Sequence, residues 1–342
     1  PPETANDPAV AGYLWINQAN ALRLLGADRD TESREAFQNA LALDPTNGNW
    51  WFDLGLLHKW RGRFADGLEA NLRARARLGE TRAVQWNIAI CATAAGQGDL
   101  AAGVWKQLGL PASLSSGGMP LIEGLPPVQV RVISRGAGIG PRSSFPDRAA
   151  GFEVVWVTPL SPCHGVVASP TFRDTPLDYG DLIVWDGAPV GVAESSDGTK
   201  VPRFPLLEIL RRGDERKLRF VALTEEPDRI DLLERALPEG CMVFAQREKI
   251  ESARPAVGTE SFLVKPREAS ALDHHLFHGK IVAPSSVPVE QLVAAIESLR
   301  SASIAVSVPE LYELLGDSKR AGQEHQAFRG IERRAEKRFG VA

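Results

Sequence analysis

The stretch "ALDHHLFHGK", residues 271–280, holds three of the chain's six histidines. On one helical turn His274 and His278 stand at i, i+4 and share a face, the geometry in which two imidazoles bind one metal. His275 then faces elsewhere. A stable site needs a third and usually a fourth ligand. The sequence offers Cys163 and His164 from a proline-rich stretch, with Asp273 and Cys241 as further donors. Zinc or another transition metal is the cofactor such a set would hold, in a metal-binding protein or a metal-dependent enzyme. A metalloprotease motif would carry Glu directly after His274, but that residue is His275. The alternative is a histidine-rich polar connection between strands, with Leu276 and Phe277 plugged into the core.

Cys163 and His164 are adjacent in "TPLSPCHGVVASPTFRDTPLDYGD". Neighbours on an extended chain point to opposite sides, so these two do not couple to each other as nucleophile and base. The prolines between residues 159 and 176 predict a rigid surface loop crossing over the sheet, which either contributes to a ligand site or covers the sheet's apolar face. The glycine-rich "SRGAGIGPR" follows a strand, but a phosphate cradle needs a helix to begin there. Pro141 and Pro146 follow instead, which predicts a hairpin loop.

The totals narrow the partners. At 342 residues two or three domains are expected. A net charge of -4 argues against nucleic acid as the main partner. The basic stretches "RARAR" and "RRAEKR" read as solvated helix faces. Cys91, Cys163 and Cys241 are an odd count without paired spacing, so no disulfide framework is expected. No apolar run is long enough for a membrane span, and the first residues lack a signal pattern. A cytoplasmic location is the expectation.

The elements that would position these residues start with a repeat. From residue 48 a 34-residue unit, "GNWWFDLGLLHKWRGRFADGLEANLRARARLGET", places Trp51, Leu54, Gly55 and His58 in the spacing W-x2-L-G-x2-Y. Gly62, Phe64 and Ala74 follow at fitting offsets. Weaker copies run from 14 to 47, with Phe37, Ala40 and Pro45, and from about 82, with Ile88, Ala89, Gly96, Ala101 and Trp105. Each unit reads as a helix pair that cannot bury its apolar face alone, so neighbours must stack.

The unit resembles the tetratricopeptide repeat (TPR) family over about residues 14–115, with His58 where an aromatic is usual. The resemblance implies a concave groove lined by Trp15, Gln18 and Leu22, then Asn49, Phe52 and Leu56, then Ala83, Trp86 and Ile90, with Lys59 and Trp60 at one end. That apolar, aromatic lining suits a protein or peptide partner, and an adaptor or scaffold function. The chain's own later domains or a second copy in a homo-oligomer are the other occupants. No cluster of Lys and Asn for clamping a peptide carboxylate stands out. In the metal-enzyme alternative the repeats recruit a protein or peptide substrate to a site between the 159–180 loop and the 273–278 turn.

After Trp105 a Pro/Gly/Ser-rich connection leads to "PVQVRVI", "FEVVWVTPL" and "DLIVWDGAPVG", which read as strands of a small β-sheet or partial barrel. "YGDLIVWDGAPVG" with "FPLLEILRRGDERKLRFVAL" is similar to the last part of a PDZ-type domain, at about 179–224. That resemblance implies an amphipathic helix before a closing strand. From 217, strands and helices alternate as in a ferredoxin-like βαββαβ layer, followed by a last helix from Pro309. The expected architecture is thus multidomain α plus β: TPR-like helices at 1–115, a β-rich domain at 120–212 and a ferredoxin-like α/β domain at 217–342.

Overall fold

The computed structural model describes residues 7–133, 152–172, 175–194, 198–224, 226–247, 275–299 and 304–339. The chain forms two compact units, Pro1–Gly213 and Asp214–Ala342.

The first unit opens with six helices: α1 (Pro8–Leu25), α2 (Asp30–Leu43), α3 (Gly48–Trp60), α4 (Phe64–Leu78), α5 (Arg82–Ala94) and α6 (Gly98–Gln107). Asp7 caps α1 by accepting from the Ala9 amide, with Pro8 in the first turn where its missing N–H costs nothing. Asn47 caps α3 in the same way. Gly62 and Gly96 close the turns after α3 and α5 at φ of +70° and +72°, a region that glycine enters without strain. Consecutive helices pack as pairs, α1 on α2, α3 on α4 and α5 on α6. Gly55 permits the second pairing: a Cβ there would lie 2.4 Å from the Asn71 amide nitrogen. Phe37, Trp50 and Leu57 centre the core between the first two pairs, and Ile88 and Trp105 the next.

A two-stranded ladder, β1 (Ser113–Leu114) with β2 (Pro120–Leu121), leads into a six-stranded sheet. Its strands are β3 (Val128–Ile133), β4 (Phe152–Ser161), β5 (His164–Val167), β6 (Leu182–Trp185), β7 (Gly191–Glu194) and β8 (Lys200–Arg211). The order is β3-β4-β5-β6-β8-β7, and a parallel pairing of β3 with β8 closes it into a barrel-like shape. Val130, Val155, Val157, Ile183 and Trp185 fill the inside. The amphipathic helix implied over "FPLLEILRR" by the PDZ-type resemblance is instead part of strand β8. Its backbone is claimed by β3, β6 and β7, long-range partners that override a local helical pattern.

In the second unit β9 (Arg216–Thr224), α7 (Asp231–Ala236), β10 (Met242–Arg247), β11 (His275–Ala283), α8 (Val289–Leu299), β12 (Ala305–Ser307), α9 (Pro309–Leu314) and α10 (Ser318–Phe339) follow in order. The sheet order is β10-β11-β9-β12, with every neighbouring pair antiparallel. Phe220, Leu233, Phe277, Ile281, Leu292, Ile296 and Tyr312 form its core. The helical turn considered for the histidine stretch is not formed at His275 and His278: both lie on the central strand β11. His274, Asp273 and the glycine-rich 134–142 stretch lie outside the described residues. Among the described residues, no helix is long and apolar enough to cross a membrane.

Candidate functional site

The last turn of α3 carries Lys59, whose Nζ donates to Asn87 Oδ1 at 2.6 Å and to the Asp186 carboxylate at 3.1 Å. Trp60 Nε1 donates to the other carboxylate oxygen at 2.7 Å, and the Ala188 amide donates to the first at 3.2 Å. Asp186 sits just after β6, where its own amide bonds the Pro205 carbonyl. Burial alone would raise its carboxyl pKa. The Lys59 ammonium and the hydrogen bonds from Trp60, Lys59 and Ala188 outweigh that and hold it below the usual carboxylate value. The next residue, Gly187, lies flat on α5: a Cβ there would come 2.8 Å from the Trp86 ring and 3.8 Å from Ile90 Cδ1.

The expected groove is therefore filled at this end by the chain's own β6–β7 turn. Lys59 and Asn87 do form a carboxylate clamp, which the sequence reading missed. The carboxylate is 127 positions from the lysine. The available signal was one lysine among apolar groove positions and an Asp-Gly turn downstream.

Of the other groove residues, Ile90 is 1% exposed and Leu22 7%, so neither presents its side chain to a partner. A 3-10 turn, Ala27–Arg29, precedes α2. Asn20 and Arg23 meet α3: Asn20 donates to Asp53 at 2.9 Å and Arg23 lies over the Trp60 ring at 4.8 Å. Trp15, Phe52, Leu56 and Trp86 are half-buried, with Trp86 edge-on to Trp105. Gln18, Asn49 and Ala83 are exposed.

Cys163 and His164 do not sit on an open surface loop. Ser161–His164 is a tight turn between β4 and β5 with a register shift at its start, and Ser161, Cys163 and His164 are all fully buried. Ser161 Oγ lies 2.6 Å from His164 Nδ1, and the Cys163 thiol donates to Thr93 Oγ1 at 3.7 Å. Burial pushes the Cys163 thiol up to about 11 and the His164 imidazole down to about 4. Both are neutral at pH 7, so this turn holds the sheet against α5 and supplies neither thiolate nor imidazolium. His275 and His278 are three apart on a strand and point to opposite faces. The His278 ring lies 6.5 Å from that of Phe328. Among the described residues, no group of three His, Cys, Asp or Glu side chains is placed to hold a metal.

Next to the filled end lies a cleft of about 340 Å³. The β3–β8 pairing stops at Arg131 and Pro205, and proline has no amide to continue it. Beyond that point, among the described residues, Val132 and Ile133 pair only with β4, and Leu206–Ile209 pair only with β6. Val132, Ile133, Leu206, Leu207 and Ile209 give apolar walls, Trp60–Gly62 and Pro176 close the ends, and Arg131 and Glu208 add charge. The volume is within the range of ligand-binding clefts.

No protein-family model, curated protein or solved structure matches this chain.

Proposed function

We propose that the chain is a protein- or peptide-binding adaptor that takes an extended apolar segment into the cleft between β3 and β8. The observation that carries this is the pair of strand edges that, among the described residues, have no further strand partner beside an apolar cleft. An extended peptide gains main-chain hydrogen bonds from such edges and side-chain contacts from the walls. The helical repeats then act as the platform that closes the cleft through Trp60–Gly62, and the exposed end of the concave face, at Gln18 and Asn49, extends the recognition surface. A TPR-type reading of the helices is supported by their pairing and by the Gly55–Asn71 approach. A ferredoxin-like reading of the second unit is supported by the order β10-β11-β9-β12 with helices after β9 and β11. The three free cysteines fit a reducing, cytoplasmic setting.

Selection from a random peptide library, followed by fluorescence anisotropy with the selected peptides, tests this reading. Ile133→Asp should weaken binding about tenfold or more, roughly 1.4 kcal/mol. Asn49→Lys should leave it nearly unchanged. The reverse pattern would move the site to the concave face and sink the cleft assignment.

A further inference from the structure

The strands that border the cleft carry a positively charged outer face. Val130 and Val132 of β3 and Val155 and Val157 of β4 fill the barrel, so the residues that alternate with them point outward. Across the two strands the outward pairs are Gln129 with Trp156, Arg131 with Val154 and Ile133 with Phe152. On the other side of β3, Arg203 of β8 stands opposite Gln129. These positions hold two arginines and no Asp or Glu, and Phe152 and Trp156 are 42% and 41% exposed. Neutral neighbours steady both guanidiniums: Arg131 lies over the Phe152 ring at 5.1 Å, and Arg203 Nε donates to Gln129 Oε1 at 2.9 Å. Among the described residues neither has a carboxylate partner. Arg131 and Arg203 are diagonal neighbours on adjacent strands, so their charges repel unless an anion lies between them. Glu208, the acid that lines the cleft, is directed elsewhere. One of its oxygens accepts from the Ile209 amide at 3.0 Å, and the other lies 3.1 Å from where a Cβ on Gly62 would be.

Taking the cleft as the binding site, we propose that its peptide is acidic where it leaves the cleft, with Asp or Glu side chains paired to Arg131 and Arg203. A guanidinium presents its donors in a planar fork that fits a carboxylate, and each arginine keeps donors for one. The parallel pairing of Gln129–Arg131 with Arg203–Pro205 closes one end of the cleft. A segment leaving at that end therefore crosses the outer face, where it meets Arg131 first and Arg203 next. Trp156, opposite Gln129 on the same face, adds an apolar contact beside the charges. Single-stranded nucleic acid also joins negative charge to groups that stack on aromatic rings. Continuity with the apolar cleft and the chain's net charge of -4 favour the acidic peptide.

Isothermal titration calorimetry on the full chain tests this. The probes are acetylated, amidated peptides of alternating valine and threonine, extended at either end by glutamates, serines or lysines. The better-placed glutamate peptide should bind about five- to tenfold more tightly than its serine counterpart, and lysine should bind worst. The glutamate-to-serine ratio should shrink in high salt. It should fall to near one in the double variant Arg131→Gln, Arg203→Gln, and persist when both become Lys. Arg131→Glu with Arg203→Glu should turn the preference to lysine. Both side chains are partly exposed, so unchanged circular dichroism and melting should show that these variants fold. Equal binding of glutamate and serine peptides, with Ile133→Asp still weakening both, overturns the acidic partner and leaves the cleft standing. Binding that Ile133→Asp does not affect removes the cleft, and this proposal with it. An oligothymidylate that binds more tightly than the glutamate peptide, and loses that binding in the Gln variant, overturns the proposal in favour of nucleic acid.

Discussion

Lys59 and Asp186 form a 3.1 Å ion pair with side chains only 3% and 5% exposed, one on a helix and the other at a strand end. The ammonium is shared with Asn87 and the carboxylate with Trp60 and Ala188, so the buried charges keep hydrogen-bond partners. Removing one partner strands the other in a poorly solvated place. Lys59→Met or Asp186→Leu should each destabilise the first unit by about 3–5 kcal/mol, and the double change should recover much of that. All eight tryptophans lie between Trp15 and Trp185, so tryptophan fluorescence during urea unfolding reports this unit alone. Equal losses in the single and double variants would show that the pair does not act as a unit.

The seating of the turn on α5 makes a second, steric prediction. Gly187→Ala puts a methyl group 2.8 Å from the Trp86 ring, against a side chain already held edge-on to Trp105. A loss of about 1–3 kcal/mol is expected, with a change in tryptophan emission in the folded state. An unchanged midpoint would mean that the turn lifts off the helix without cost.

His164 sets a pH dependence. Its folded-state pKa is depressed to about 4 from 6.5 because the ring is buried, so the unfolded chain binds the proton more readily between those values. The stability present above pH 6.5 should fall as pH drops towards 4, by about 3 kcal/mol in all. Asp186 adds a further loss below the usual carboxylate range, since its folded-state pKa is also lowered. His164→Gln should flatten the first phase and leave the second. Urea midpoints across this range check it, and an unaltered slope in the variant would contradict the assignment.

The cysteines should separate by burial. Cys91 is pushed up to about 12 and Cys163 to about 11, both by burial, while Cys241 is only half-buried. A thiol reagent should label Cys241 alone in the native chain and all three in denaturant. Rapid native labelling of Cys163 would show that the Ser161–His164 turn opens.

The helix pairs were legible because each is local: Trp51, Leu54 and Gly55 recur with Phe64 and Ala74 inside one 34-residue unit. The strands of the barrel were readable one by one from their valines. What the sequence hid is what depends on distant partners. "FPLLEILRR" has an apolar pattern that serves a helix or a strand, and β3, β6 and β7 decide it. "HLFHGK" holds three polar side chains, yet it lies between two strands at the centre of a sheet, with Leu276 and Phe277 each 5% exposed. The carboxylate clamp and the cleft join helix α3 to strands that follow it by tens of residues or more, and no local spacing encodes either.

The central claim, an extended segment held between β3 and β8, is tested most directly by amide hydrogen exchange with and without a selected peptide. The account predicts new protection at alternate amides within Val132–Ile133 and Leu207–Ile209, those that face the cleft and not β4 or β6, from main-chain hydrogen bonds to the added strand. Protection confined to the concave face around Gln18 and Asn49, with β3 and β8 unchanged, would contradict it.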